Sequence, residues 1–379
     1  MSGNKKMPSA LVSLVGANPY PIYLGVRQFA EQGTAIVLVH SDETADQAER
    51  IKSVLTKEDF AGSAIDLQRL HSAHDPKQVR EGLTDVMNKY ANSWVNFTGG
   101  TKIMSAYGLM LWREADLPAF YIAEETQQIF FDSGEERTLG DHQYSIDTLC
   151  KLHEVVVGKP ESGIKASAGE LDDIFERRNN VGCRMSALRR EDEEVKDWKK
   201  LSGDKFESKL QVLRDLKPDG MSFDVSKPTS NTSYKEGEYK KFSDFLGGLW
   251  FEQWLQLKVK AADQNIEWTR GQKFKIDKQE FESDLMAIAR HRLRYISVTT
   301  DRGEKLIKGK VFEAVHRAHQ IGGGMASVAV VCLATDDVRD KARMSVGASP
   351  SGKLQVFGDS DVEEWGNGNV ETLSNFLSN

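Results

Sequence analysis

The sequence predicts an α/β protein with two sheet-containing domains joined by a helical and polar region. Strand-like and helix-like segments alternate from residue 8 to residue 131. That alternation breaks near residue 150, where a charged helical stretch and a polar segment, 216–241, follow. A second set of strands and helices then occupies the rest of the chain. Since domains usually have roughly 100–200 residues, we divide the 379 residues into 1–150, 151–240 and 241–379.

The N-terminal segments predict a mostly parallel, doubly wound sheet of the Rossmann type, because each buried apolar run is followed by an amphipathic helix. Pro21 and Gly33 mark the two ends of the first helix, and Asp75 and Pro76 mark the start of the third. The predicted strands are 9–16, 34–40, 63–70, 93–97, 118–124 and 128–132, and the predicted helices are 21–33, 43–58, 75–90 and 100–115.

The rest of the chain has a different pattern. Residues 165–200 are charged and helical in character, and 216–241 is rich in Pro, Gly, Ser and Thr, which is typical of a linker or long loop. An apolar helix and a strand pair around residues 281–300 open the last part. They are followed by a predicted helix 307–323, strand 326–334, helix 336–347 and strand 354–358. This order predicts a second α/β domain.

Bulk properties exclude several classes of protein. No apolar run approaches the ~20 residues of a membrane span. Three widely spaced cysteines form neither a metal pattern nor an even disulfide set, which predicts a reducing, cytoplasmic location. The net charge of −7 argues against a chain that binds nucleic acid over its whole surface, although a local basic groove remains compatible with it.

Two loops after predicted parallel strands are suited to binding phosphate. They are "GANPYP", residues 16–21, and "NFTGGTKIM", residues 96–104. Glycines allow backbone N–H groups to approach an anion, the helix start adds partial positive charge, and Lys102 adds a full one. The same spacing also fits a plain strand-to-helix turn, since short glycine motifs are unspecific.

The run "NFTGGTKIMSAYGL" after a fourth strand, with the early "GANPYP" loop, resembles the CARF domain over roughly residues 8–150. This is the ligand-sensing domain of CRISPR-associated effectors in type III systems. The resemblance implies a homodimer that binds one cyclic oligoadenylate, tetra- or hexa-adenylate, on its two-fold axis. A symmetric ring suits a two-fold dimer, since each subunit then offers the same patch. The implied ring-binding residues are Gly16, Ala17, Asn18, Thr98, Gly99, Gly100, Thr101 and Lys102, with His40 and Ser41 as weaker candidates.

The C-terminal part, roughly 240–360, resembles the restriction-endonuclease-like, PD-(D/E)xK, domain of such effectors. "GGLWFEQWL" is similar to the leading helix and implies a catalytic Glu252. "FESD" is similar to the metal-binding strand and implies Asp284, with Glu282 two residues earlier. The resemblance therefore implies Mg²⁺ or Mn²⁺ held by Glu252, Glu282 and Asp284, since both metals prefer oxygen ligands.

The following strand departs from that pattern. Where the family has Glu-x-Lys, this chain has Ser297, Val298 and Thr299. Neither hydroxyl carries the charge of a carboxylate or an ammonium group. Three explanations stay open: a lysine from elsewhere, namely Lys305, Lys308 or Lys310, takes over; the domain has lost cleavage and only binds nucleic acid or a partner; or the correspondence is off register.

Arginines and lysines are concentrated around these strands, and this pattern fits either contact with a phosphate backbone or a solvated hairpin and helix face. These residues are Arg290, Arg292, Arg294, Lys305, Lys308, Lys310 and Arg317. The sequence thus predicts a cytoplasmic, homodimeric sensor of cyclic oligoadenylate that cleaves DNA or RNA when activated. The alternatives are a nuclease-inactive sensor, and a CARF domain that cleaves its own ring.

Overall fold

The structure is a computed structural model, and it contains two sheets, each with helices on both faces. It describes residues 7–57, 60, 62–123, 126–140, 142, 144–160, 163–194, 203–222, 238–345 and 354–378. Residues 195–200 of the predicted charged helix and 223–237 of the predicted linker lie outside this range.

The first sheet has seven strands in the order β3-β2-β1-β4-β5-β6-β7. The strands are β1 Ala10–Leu14, β2 Ala35–His40, β3 Ile65–Arg69, β4 Ser93–Asn96, β5 Ala119–Ala123, β6 Gln128–Phe131 and β7 Glu136–Thr138. The helices are α1 Tyr20–Phe29, α2 Ala45–Lys57, α3 Pro76–Lys89, α4 Lys102–Glu114 and α5 Ile146–Leu152.

Strands β1 to β5 are parallel, whereas β6 and β7 add an antiparallel edge. Every residue of β1 and β4 is buried, as expected for central strands covered on both faces. Asp75 caps α3 as predicted, since its carboxylate accepts the backbone N–H groups of Lys77 and Gln78. The predicted doubly wound N-terminal domain is therefore confirmed, although β7, α5 and the short strand that follows were not predicted.

The second sheet has six strands in the order β13-β12-β11-β10-β9-β8. The strands are β8 Val156–Val157, β9 Trp268–Ile276, β10 Gln279–Ala289, β11 Arg292–Thr299, β12 Ser327–Cys332 and β13 Leu354–Phe357. The helices are α6 Ala168–Glu176, α7 Arg178–Glu194, α8 Gly203–Leu216, α9 Glu238–Asp244, α10 Trp250–Ala262, α11 Glu304–Gly322, α12 Asp336–Ser345, α13 Asp359–Gly366 and α14 Glu371–Ser378. A π-helical turn, Phe245–Leu249, leads into α10.

Strands β8 to β11 are antiparallel neighbours, while β11, β12 and β13 are parallel. The chain turns from β10 to β11 through Arg290 and His291, both with positive φ. Because β8 belongs to this sheet, the chain enters the second sheet at Val156, before helices α6 to α8 begin.

Three apolar clusters hold these layers together. One packs α3 and α4 on the outer face of the first sheet. A second is continuous between the two sheets and includes side chains of α1, α2, α5 and α11. A third packs α6 to α10, α13 and α14 on the outer face of the second sheet. Helices α6, α7 and α8 thus pack against the second sheet. None of the described helices has the length and apolar character needed to cross a membrane.

Candidate functional site

The two predicted phosphate-binding loops meet at one edge of the first sheet. Strands β1 and β4 are parallel neighbours, so their carboxyl ends lie side by side. A Cβ added to Gly16 would lie 2.7 Å from the Gly100 nitrogen, and one added to Gly99 would lie 2.2 Å from the Leu14 oxygen. Gly100 has φ +80°, which favours glycine. These glycines therefore allow the two loops to touch.

The two threonines of the second loop use their hydroxyls within the domain. Thr98 Oγ1 donates to Asn96 Oδ1 at 2.6 Å and accepts the Ile122 N–H at 2.8 Å. Thr101 Oγ1 donates to the Ala73 carbonyl at 2.7 Å and caps α4. Their side chains thus shape the loop through hydrogen bonds within the domain.

Lys102 is the cation at this edge. It is the first residue of α4, and it is exposed. The helix start and the lysine both favour an anion. The arrangement can bind a phosphate group through backbone N–H groups and one ammonium group.

Asn18, in the first loop, extends toward the second domain. Its Oδ1 accepts the Tyr20 N–H at 3.1 Å. A Cβ on Gly323, just after α11, would lie 3.2 Å from the Asn18 carboxamide. The loop that approaches Gly100 on one side therefore contacts the second domain on the other.

The weaker candidates lie at the end of β2. The His40 ring nitrogen Nδ1 is 2.9 Å from the carbonyl of Ser41, and both residues are buried. Ser41 also starts the short 3₁₀ turn that follows. Both have a structural role in the first domain.

The carboxylate of Asp284 accepts hydrogen bonds from the neighbouring strand, β11. Its Oδ2 accepts the Val298 N–H at 2.5 Å and the Ser297 hydroxyl at 3.1 Å. Burial raises the pKa of Asp284 above its usual range, although these bonds and the charge of Lys310 act in the opposite direction. Ser297, where the resemblance implies a glutamate, is therefore a hydrogen-bond donor to Asp284.

Helix α11 presents its own charged groups to Asp284. The charge of Glu313 raises the pKa of Asp284 and that of Lys310 lowers it. Their side chains form an ion pair at 3.6 Å. Glu313 was not predicted as a site residue. Its spacing of three residues from Lys310, which places both on one helix face, was the sequence signal that could have identified it.

Two of the three candidate lysines, Lys305 and Lys308, lie at the start of α11. Lys308 forms an ion pair with Glu304 at 2.6 Å, and Lys305 is exposed. Of the three lysines considered, Lys310 is the one whose charge acts on Asp284.

Glu252 and Asp284 are on opposite sides of the second sheet. Along β10, Met286 belongs to the core shared with α11, whereas Leu285 belongs to the core shared with α10. Side chains alternate along a strand, so Asp284 is on the α11 side. Glu252 is buried on α10, with its Oε2 3.9 Å from Arg270.

Glu282 lies farther along the same strand, directly opposite Lys273 of β9. It lines an open cavity of about 700 Å³ together with Lys159 and Lys275. The described residues contain no group of three or more acidic, His or Cys side chains arranged to hold a metal ion. The carboxylates near the predicted metal site are thus those of Asp284, Glu313 and Glu282. Glu252 lies on the opposite side of the sheet and is not part of this group.

Two arginines of the β10–β11 hairpin, Arg292 and Arg294, pack into the protein. Arg294 is 1% exposed, and burial together with the nearby charges of Arg292 and Arg290 lowers its pKa to about 10. Its guanidinium lies 5.7 Å from the centre of the Phe376 ring. Arg317 covers the ring of Phe281 at 4.3 Å. Of the predicted basic surface, Arg292 and Arg294 are therefore buried by internal packing, whereas Arg290 and Lys305 are exposed.

The comparisons with known proteins agree with this architecture. The family model of the Card1 CARF domain matches residues 10–147. Can2 from Sulfobacillus thermosulfidooxidans, solved in complex with cyclic tetra-adenylate (cA4), superposes with a TM-score of 0.71 at 14% identity, covering 97% of this chain and 99% of that one. Protein VC1899 from Vibrio cholerae superposes with a TM-score of 0.66 at 13% identity, covering 98% of both chains. No curated protein matches the sequence. Residues 10–147 are thus similar to the CARF domain of Card1, and the chain shares its fold with Can2 and VC1899 over nearly its whole length.

Proposed function

We propose that this protein is a CRISPR-associated effector whose N-terminal domain binds a cyclic oligoadenylate and whose C-terminal domain then cleaves nucleic acid with a divalent metal. The observation that carries the proposal is the convergence of the Gly16 and Gly99–Gly100 loops beside Lys102. Backbone N–H groups at a helix start and one lysine suit phosphodiester groups. The match to the Card1 CARF domain and the fold shared with Can2, a protein solved with cA4, support the same ligand class.

A homodimer fits this ligand. A cyclic oligoadenylate has rotational symmetry, so two copies of the same loop pair around a two-fold axis contact it equally. The activator is tetra- or hexa-adenylate in this proposal, and the two rings are arms of the experiment below.

The contacts between domains supply a physical route for activation. Asn18 contacts Gly323, and Tyr20 contacts the β10–β11 hairpin through a hydrogen bond. A ring that binds one arrangement of the first loop more tightly than another shifts the population of both domains. The hairpin strands carry Asp284 and its partner Ser297, so a shift of the hairpin changes the candidate nuclease site.

For the nuclease step, the carboxylates of Asp284 and Glu313 would hold the metal, with Glu282 farther along β10. Mg²⁺ or Mn²⁺ prefers such oxygen ligands and, when bound, activates water and stabilises the leaving oxygen. Lys310 would neutralise the phosphate, the role that the resemblance gives to a lysine at the position of Thr299. Its ion pair with Glu313 keeps it on the Asp284 side of α11.

One observation favours a second function, that of a sensor without cleavage. Ser297 donates to the Asp284 carboxylate where the family has a second carboxylate. This contact replaces a metal ligand with a hydrogen-bond donor. In that case the second domain signals by binding nucleic acid or a partner.

Cleavage assays separate the two functions. The full chain is incubated with cyclic tetra- or hexa-adenylate, Mn²⁺, and either supercoiled DNA or single-stranded DNA or RNA. We expect ring-dependent cleavage that is lost in Asp284→Ala and kept in Glu267→Ala, an exposed carboxylate of the same domain. If the ring binds tightly but no substrate is cut with any ring or metal, the nuclease proposal fails and the sensor remains. If neither ring binds, the sensing proposal fails as well.

A further inference from the structure

A basic cavity of about 220 Å³ lies beside the carboxyl ends of β11 and β12. Helix α7 forms one wall, the π-helical turn before α10 forms another, and the residues that follow β11 close it. The residues used below are Arg178, Cys183, Arg189, Thr300, Asp301 and Arg302. Ligands of open α/β sheets bind beyond the carboxyl ends of parallel strands, and this cavity occupies that position in the second sheet.

The π-helical turn shapes the cavity wall. Gly247 has no side chain, and a Cβ there would lie 1.9 Å from a guanidinium nitrogen of Arg189. The carbonyl of Gly247 accepts the Thr300 hydroxyl at 3.0 Å. Glycine thus lets Arg189 lie flat on the turn, and Thr300 ties the turn to the end of β11. π-Helical turns inside helices often occur at functional sites.

The charge of the lining is positive. It contains three arginines and one carboxylate, that of Asp301. Arg178 is fixed by Asp359 at 2.9 Å and Glu363 at 3.6 Å. Arg302 donates to the side-chain amide of Asn179. Among the described side chains, neither Arg189 nor Arg302 forms an ion pair, so both guanidinium groups are available to an anion.

The cavity adjoins the candidate nuclease strand. Thr299, at the position of the family's lysine, donates its hydroxyl to Asp301 at 3.2 Å. Thr300 follows Ser297, the partner of Asp284, by three residues, or about 10 Å along an extended strand. An anion held by the arginines would therefore lie at the carboxyl end of β11, about 10 Å along the strand from Ser297.

The volume limits what the cavity takes. Sites for small molecules have roughly 300–1,000 Å³, so this one suits a phosphate with part of its sugar and excludes a whole oligoadenylate ring. Arginine binds phosphate oxygens in a planar, two-pronged geometry that lysine lacks.

We propose that this cavity binds a phosphodiester group of the nucleic-acid strand on which the second domain acts. The inference rests on the proposed function, because it supplies the substrate contact that the buried hairpin arginines do not. It does not depend on cleavage, since a sensor that only binds nucleic acid would use the same contact.

Cys183 gives a direct readout. It is the exposed cysteine of the chain and lines the cavity, whereas Cys150 and Cys332 are buried. Burial raises the pKa of Cys150 to about 12 and that of Cys332 to about 11, so neither thiol reacts readily. Neutral iodoacetamide should therefore label Cys183 selectively, and mass spectrometry of the full chain follows its rate.

The labelling is carried out in EDTA, which stops metal-dependent cleavage, with a short single-stranded oligonucleotide, with inorganic pyrophosphate, or without either. We expect the oligonucleotide to slow labelling in a saturable manner. The concentration that gives half protection should rise about tenfold in Arg189→Gln and in Arg302→Gln, since each loses a charged hydrogen bond. Each variant should also lower the slope of affinity against salt by about 0.7.

Arg190→Gln is the matched control, because Arg190 is an exposed neighbour on α7 that does not line the cavity. In this variant, the oligonucleotide should protect Cys183 at the same concentration as in the unmodified chain. An oligonucleotide that binds without slowing the labelling overturns the proposal, and so does one that does not bind. Protection by pyrophosphate alone also overturns it, since the cavity then takes a free phosphate and not a strand. If the oligonucleotide protects Cys183 but no substrate is cleaved in the earlier assay, the proposed cavity is supported and only the nuclease proposal fails.

Discussion

The phenolic hydroxyl of Tyr20 donates a hydrogen bond to the backbone carbonyl of His291 at 2.9 Å, although 271 residues separate the two in the chain. Tyr20 begins the helix after the first candidate ring-binding loop, and His291 is in the turn between β10 and β11. The Tyr144 ring stacks near His291, with centroids 6.2 Å apart, and packs edge-on to Tyr20. One aromatic cluster thus joins the candidate ring-binding loop to the hairpin that carries Asp284.

Replacing Tyr20 by Phe removes this bond and leaves the ring in place. The loss of a buried hydrogen bond should lower the free energy of unfolding by about 0.5–1.5 kcal/mol, measured by urea denaturation. We also expect the variant to bind the cyclic oligoadenylate with nearly unchanged affinity, while the effect of this ligand on the second domain weakens. Tyr90→Phe is the control, since Tyr90 bonds to Asp66 within the first domain. If Tyr20→Phe keeps the full response of the second domain to the ring, this bond plays no part in coupling.

Lys102→Ala should weaken ring binding about tenfold or more, because a charge-assisted contact to phosphate is lost. Isothermal titration calorimetry with each ring measures the change. Arg113→Ala, in the last turn of the same helix, should leave affinity unchanged. Equal affinities for the Lys102 variant and the unmodified chain would rule out the proposed pocket.

Gly99→Ala should disturb the meeting of the two loops. The added Cβ would lie 2.2 Å from the Leu14 oxygen, so the backbone must move. We expect a loss of roughly 1–3 kcal/mol in unfolding free energy, the usual cost of overpacking, together with loss of ring binding. Gly62→Ala meets no atom within 4 Å and should change neither. A stable Gly99→Ala variant with normal ring binding would contradict the close approach.

Asp284→Asn should make the protein more stable near neutral pH. Burial raises the pKa of Asp284 in the folded state, so between its ordinary pKa of 3.8 and the raised value the folded state binds more protons than the unfolded one. Stability contributed by this group is therefore lost as pH rises through that window. An asparagine has no such charge and can still accept the Val298 N–H.

Urea midpoints measured from acidic to neutral pH check this. The advantage of Asp284→Asn should be largest at neutral pH and should shrink as the pH falls toward 3.8. Asp85→Asn, an exposed position on α3, provides the comparison. A variant that is less stable than the unmodified chain at neutral pH would show that the ionised form of Asp284 is favoured by the fold.

The sequence predicted most of the fold because its signals are local. Strand–helix alternation, Pro21, and the Asp75–Pro76 cap defined the first sheet, and the "GANPYP" and "TGGTK" loops were expected at its carboxyl edge. Elements with weak periodicity were not predicted, among them β8, β9, α13 and α14. Their positions depend on partners distant in the chain, such as the pairing of Val157 with Phe274.

The sequence by itself determined the two α/β units, the glycines of the candidate ring-binding loops, and the presence of Ser297 and Thr299 where the resemblance implies Glu-x-Lys. Only the tertiary structure decided which charged groups meet. It placed Glu252 and Asp284 on opposite sides of one sheet, brought Lys310 and Glu313 to Asp284, and buried Arg292 and Arg294. It also gathered Arg178, Arg189 and Arg302 from two distant segments into one cavity. The physical reason is that a side chain's neighbours across a sheet or between helices are set by register and packing, which short-range patterns do not specify.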